Sequence, residues 1–292
     1  MPAPLSFAAP TALEYFATLV ADDASLPLVE AALALAQDDH PGLDIQAELA
    51  RIDDLAQRLR RRIPADAVAL QRLRWLNRYF FGELGFAGNL NDYHHPDNSY
   101  LHRVLATRRG IPITLAVLYI ELATQIGLSA QGVSFPGHFL VKMRMQGGQR
   151  PGEVVIDPFT GQSLSREELD QRLAPYRRSS GLPSDFEAPV GLFLQSASSR
   201  EVLARMLRNL KQIHRGSARA AAWLAVQDRL VILLPQDADE RRDRGLAHAE
   251  LGHARAALRD LQAYLDAAPQ AGDRDVVEQR IAALGRGPTR LH

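Results

Sequence analysis

Apolar residues recur at three- and four-residue steps through the first part of the chain. Ile45, Leu49, Ile52, Leu55 and Leu59 follow that spacing with Arg, Asp and Gln between them, the pattern of a helix with one buried face. Asp44 occupies the position of its N-cap. Thr11-Ala12-Leu13-Glu14 reads as a capping box, in which hydroxyl and carboxylate satisfy free amides at an earlier helix start. Leu70, Leu73, Leu76 and Tyr79 carry the helical period over residues 65–81. A helical subdomain over residues 1–84 is expected.

The pattern changes at Gly85. Gly85-Phe86-Ala87-Gly88-Asn89 and the stretch from Asn91 to Ser99 are rich in turn formers, and a loop that long is either functional or pinned by its own side chains. A short helix is expected over residues 99–108. Pro112 suits the first position of the next helix, where a missing N–H costs nothing. That helix, to about residue 126, is apolar nearly all round and so belongs at the centre of a core. Gly127 ends it. Strand-like runs follow at residues 131–135, 138–145 and 152–156, with Gln146-Gly147-Gly148-Gln149 as the turn between the last two. One buried helix on an antiparallel sheet makes an α+β core, here assigned to residues 85–195.

Residues 196–292 are helical again and carry a period. Pro235 and Pro269 lie 34 residues apart, each just after an Ala/Leu-rich helix, and 34 is the length of a tetratricopeptide repeat. The second copy shows the pattern best, in Gly245-Leu246-Ala247, Leu251-Gly252-His253, Ala256-Ala257, Leu261, Tyr264 and Pro269. Gly252 and Ala256 are expected to let its two helices approach, with Leu258, Leu261 and Leu265 lining one face. The first copy, Arg200 to Pro235, is weaker, and residues 275–284 would supply a capping helix. Two repeats do not bury their own faces, so they are expected to dock on the core. Arg241, Arg242, Arg244, Arg255 and Arg259 are offset there by Asp239, Glu240, Asp243 and Asp260.

Composition narrows the chemistry. Of 292 residues, 46% are apolar and 23% charged, which fits a globular protein and not a disordered one. Thirty-four basic and thirty-four acidic residues cancel, so no global field favours nucleic acid or a membrane surface. Arg58-Leu59-Arg60-Arg61-Arg62 reads as a solvated helix face. There is no cysteine, which removes disulfides, Cys-ligated zinc, iron–sulfur clusters and thiolate catalysis together. No secretory signal opens the chain and no apolar run is long enough to span a membrane, so a soluble cytoplasmic protein without cofactor is expected.

Gly85-Phe86, Asn91-Asp92-Tyr93, Pro96, Asn98-Ser99, Val104-Leu105, Arg109-Gly110-Ile111-Pro112-Ile113, Phe135-Pro136-Gly137-His138-Phe139-Leu140-Val141 and Ile156-Asp157-Pro158-Phe159 resemble the SirB1 family over about a third of the chain. That resemblance implies a transglutaminase-like (papain-like) core followed by tetratricopeptide repeats. In active enzymes of the broader fold, a Cys sits at the start of the buried helix, where the helix dipole stabilises its thiolate. A His on the following strand takes the proton and an Asp on the next strand orients the imidazole. Carried onto this sequence, His138 takes the His role and Asp157 the Asp role. The nucleophile position falls on Pro112, or on Thr114 if the helix starts a turn deeper, and neither is a thiol.

Two functions follow from these residues. One is a catalytically inactive scaffold or regulatory module whose repeats bind a protein or peptide. The alternative is a hydrolase or acyl-transfer enzyme with a Thr114-His138-Asp157 triad. It has to contend with the stiffness of Thr and with the habit of helix hydroxyls of bonding the preceding turn. His138 and Asp157 could equally lock two strands together or face a ligand. Asn91, Asp92, Tyr93, Asn98 and Arg109 are the candidate ligand contacts, with an ion pair from Arg109 to Asp92 or Asp97 as the structural reading. His94 and His95, with Asp92 and Asp97, have the donor types of a metal site, although adjacent histidines rarely converge on one ion.

Overall fold

The computed structural model describes residues 9–145, 152–179, 189–217 and 219–286. The turn assigned to residues 146–149 lies outside them. Helix α1 (Ala12–Leu19) opens with the expected capping box, in which the Glu14 N–H donates to Thr11 Oγ1 at 3.2 Å and the Thr11 N–H donates to Glu14 Oε2 at 2.8 Å. After α2 (Leu28–Ala34), helix α3 (Ile45–Arg60) is capped by Asp44, whose carboxylate accepts the Ala47 N–H at 3.0 Å. Helix α4 (Ala69–Asn77) starts four residues later than its periodicity suggested and passes into a π turn, Arg78–Glu83.

Two very short parallel strands, β1 (Ala87–Gly88) and β2 (Arg109–Gly110), bracket a 3-10 turn (Pro96–Ser99) and helix α5 (Leu101–Thr107). Helix α6 (Pro112–Gln125) is the central helix, with Leu115, Ala116, Leu118, Tyr119 and Ala123 wholly buried. It packs on a four-stranded antiparallel sheet of order β3-β4-β5-β6, made of Ser129–Val133, Leu140–Met145, Gly152–Asp157 and Gln162–Leu164. Val141 pairs with Ile156 across β4 and β5, and both face α6. Leu140 and Val155 face the other side, where Leu169 and Leu173 of α7 (Arg166–Ser179) cover them. Strand β6 and helix α7 were not foreseen from the pattern.

A further 3-10 turn (Val190–Leu194) leads to α8 (Ser199–Gly216), α9 (Ala220–Leu233), α10 (Ala238–Glu250), α11 (Ala254–Ala267) and α12 (Arg274–Gly285). These are two helix–turn–helix units and a capping helix. The close approach within the second unit is made at Gly245 and not at Gly252. A β-carbon on Gly245 would lie 2.9 Å from the Leu261 side chain, whereas Gly252 has open space and a φ of +74° in the turn after α10. Val202, Leu203, Leu207 and Leu210 of α8 and Leu230 of α9 share one continuous apolar core with α2, α3 and α6.

Candidate active-site cleft

The mouth of α6 is built by backbone ties from three directions. The Asn89 N–H donates to Gly110 O at 3.1 Å and the Gly88 N–H to Phe159 O at 3.0 Å, which joins the start of the 91–99 loop, the helix start and the end of β5. A β-carbon at Gly88 would sit 2.3 Å from the Phe159 ring, so only glycine lets that ring settle there. Ile111 is the N-cap of α6 and supplies no side-chain bond, and Pro112 takes the first helical position. The Thr114 hydroxyl is buried and donates to Asn98 O at 2.8 Å and to Ile111 O at 3.0 Å. A hydroxyl has one proton, and here both acceptors are backbone carbonyls.

His138 lies in a bend two residues before β4, where the sequence suggested a strand beginning at residue 138. Gly137, at φ +66°, and the bond from the His138 N–H to Phe135 O turn the chain at that point. The His138 Nε2 meets Asp157 Oδ1 at 2.8 Å, so the pair carried over from the family pattern is formed. The imidazole is 22% exposed and the Asp157 carboxylate almost fully enclosed. With Asp157 ionised, Nε2–H donates to the carboxylate, and Nδ1 is the ring nitrogen that Asp157 does not engage. Asp157 has two further donors. Arg172 Nη1 donates to its second oxygen at 3.0 Å, and the Phe159 N–H to its first at 2.9 Å. Burial pushes this carboxyl up, but His138, Arg172 and the Phe159 amide outweigh it and hold its pKa at about 2.

Arg172 escaped the sequence reading because its helix did. The signal was present in Ser165-Arg166-Glu167-Glu168, a capping box in which the Ser165 N–H donates to Glu168 Oε2 at 2.7 Å. Arg205 was also missed. It lies on α8, far along the chain, and it reaches back to Ser134 Oγ at 2.6 Å and over the Phe139 ring at 5.5 Å. No local pattern announces such a contact.

The 91–99 loop separates into wall and staple. Asp92 and Tyr93 line a cleft of about 1000 Å³, together with Ile111, Gly137 and residues of α8. Asn98 points inward, where its side-chain amide donates to Asp92 O at 2.6 Å and Tyr93 O at 3.1 Å and its oxygen accepts from Asn89 at 3.0 Å. Asn98 therefore pins the loop. Asn91 is exposed and outside the cleft lining. Arg109 donates to Gly85 O at 2.6 Å, and the acid expected for it is taken by Arg103, which pairs with Asp97 at 2.8 Å. Arg103 follows the loop by one helical turn, which brings its shorter reach to Asp97. His94 packs edge-on against Tyr93, while His95 Nδ1 accepts the Asp97 N–H at 3.2 Å. The two rings thus turn to different partners, and among the described residues no three metal-type side chains converge.

Known proteins agree with this arrangement. Residues 46–208 match the transglutaminase-like superfamily and residues 210–282 match the tetratricopeptide repeat. The chain is 36% identical over 272 residues to a UPF0162 protein of Xylella fastidiosa, covering 93% of this chain and 94% of that one. It is 28% identical over 271 residues to a UPF0162 protein of Vibrio cholerae, with 89% and 93% covered. Against Protein SirB1 of Salmonella typhimurium it is 26% identical over 257 residues, with 87% and 90% covered. No solved structure matches the chain. The buried helix on its antiparallel sheet and the helical repeats behind it agree with both matches, and the chain belongs to the transglutaminase-like superfamily, in the SirB1 family (UPF0162) that joins this core to tetratricopeptide repeats.

Proposed function

We propose that this chain is a catalytically inactive transglutaminase-like protein that acts in the cytoplasm as a protein-interaction or scaffold module. The observation that carries the reading is the helix mouth. Position 112 holds proline, no cysteine exists in the chain, and the Thr114 hydroxyl spends its proton on the carbonyls of Asn98 and Ile111. An acyl transfer needs a nucleophile whose proton the imidazole can take. Among the described residues no hydroxyl is hydrogen-bonded to the His138–Asp157 pair, and the triad alternative through Thr114 lacks a free hydroxyl. What remains is a rigid polar pair beside an open cleft, with helical repeats of a type that presents peptide-binding surfaces. No helix among the described residues is long and apolar enough to cross a membrane.

The partner is a protein or peptide held through the repeats. In this reading a full-length tagged chain recovers a reproducible partner from lysate, and a chain ending after Pro235, which lacks α10 to α12, recovers it at background level. Equal recovery by the two chains contradicts a role for the second repeat unit.

A further inference from the structure

The cleft at the helix mouth continues past Gly137 into a second one of about 700 Å³, and Gly137 and Arg205 line both. Together they are larger than the usual site of one small molecule. The charges around this groove are mostly spent. Arg208 pairs with Asp237 and Glu240, Arg219 with Asp39, and Glu201 caps α8 through Ser198. Arg205 differs, since it has no carboxylate partner among the described residues. Its guanidinium is nevertheless fixed, by Ser134 Oγ at 2.6 Å, by Phe135 O at 3.4 Å and by the face of Phe139. A half-buried, pre-positioned cation without counter-charge is an anion receptor in the making.

A second observation points the same way. Ser99 lines the first cleft, is 1% exposed, and its hydroxyl has no hydrogen-bond partner. The two ends of the groove are apolar and open, with Tyr93 44% exposed at one and Leu192 58% exposed at the other. Asp92, an exposed residue, is the carboxylate in the lining of the first cleft and forms no ion pair among the described residues.

We propose that the two clefts form one recognition groove for an extended peptide, whose Asp or Glu side chain pairs with Arg205 while flanking apolar side chains settle against Tyr93 and Leu192. This inference rests on the reading of the chain as an interaction module, and it adds a binding surface at the junction of core and repeats to the one on the outer repeats.

A random dodecapeptide library displayed on phage, selected on the immobilised full-length chain and in parallel on Arg205→Gln, tests it. The wild-type chain enriches peptides with an acidic residue between apolar ones. A synthetic copy of the best of them binds Arg205→Gln about tenfold or more weakly, as loss of a charge-assisted pair requires. Arg205→Lys keeps the charge and falls between the two. Changing the peptide's acid to its amide costs wild type a similar factor and costs Arg205→Gln little, because the pair is then already broken. Peptides without an acid, or equal affinity for Arg205→Gln, overturn the groove and leave the interaction module standing. Self-association that Arg205→Gln abolishes, with no peptide enriched, assigns the face to a second copy of the chain and also overturns the proposal.

Discussion

Replacing Asp157 with alanine is expected to destabilise the protein by about 3–5 kcal/mol, because it strips a buried acceptor from three donors at once. Its carboxylate is 1% exposed and receives His138, Arg172 and the Phe159 N–H. Without it, Arg172 loses its partner, His138 loses its orientation, and the turn after β5 loses its staple. A lower urea midpoint at unchanged slope measures the loss. Asp157→Asn keeps the shape and the Phe159 bond and should cost less. The same carboxylate gives the protein a distinctive acid response. Its folded pKa of about 2 lies below the ordinary 3.8, so the unfolded chain takes up the proton first. The stabilisation is complete above the unfolded value, amounts to about 2 kcal/mol, and disappears as pH falls through that value to the folded one. Wild type therefore loses more stability between about pH 5 and pH 2 than Asp157→Asn does. Parallel pH profiles of the two indicate that the carboxylate is not held as described.

Deleting residues 196–292 is expected to leave an unfolded or aggregated remainder and not a free core domain. Helices α8 and α9 contribute Val202, Leu203, Met206, Leu207, Leu210, Val226, Leu230 and Leu233 to the same core as α2, α3 and α6. Each such side chain is worth about 1.5–3 kcal/mol when buried, so together they match or exceed the roughly 5–15 kcal/mol of a typical domain. Arg200 adds bonds to Val20 O at 2.6 Å and to Asp23, and Arg229 pairs with Asp38. Ending the chain after Pro235 removes α10 to α12, where Leu261, Tyr264, Leu265 and Val277 form a cluster of their own. That shorter chain should stay folded. Circular dichroism and a single cooperative melt for it, against none for the chain ending at residue 195, are the expected results. A cooperative melt from both chains places the boundary of the core before α8.

Much of this fold could be read from residue spacing, and the reasons differ by element. The α3 stripe, the Asp44 and Thr11 caps, and the all-apolar α6 after Pro112 are local signals, and local signals survive folding. The His138–Asp157 pair was found through its resemblance to a known constellation, and the two residues do meet, although His138 stands in a bend instead of on a strand. Strand β6 has three residues and α7 is polar, so neither rises above its surroundings by periodicity. Arg172 and Arg205 act across 15 and 71 positions to Asp157 and Ser134, distances at which the sequence carries no pattern at all. Asn98 and Arg109 both bond backbone carbonyls, a use of polar side chains that residue type and spacing do not separate from ligand contact.

The central claim is that the helix mouth holds no nucleophile, and turnover by pure protein tests it most directly. Thioester, ester and amide substrates, with and without an amine acceptor, are offered to wild type, Thr114→Val and His138→Gln. The account predicts that all three release product at the rate of buffer and that intact-mass analysis finds no acyl adduct. Turnover by wild type that Thr114→Val abolishes in a folded protein contradicts it.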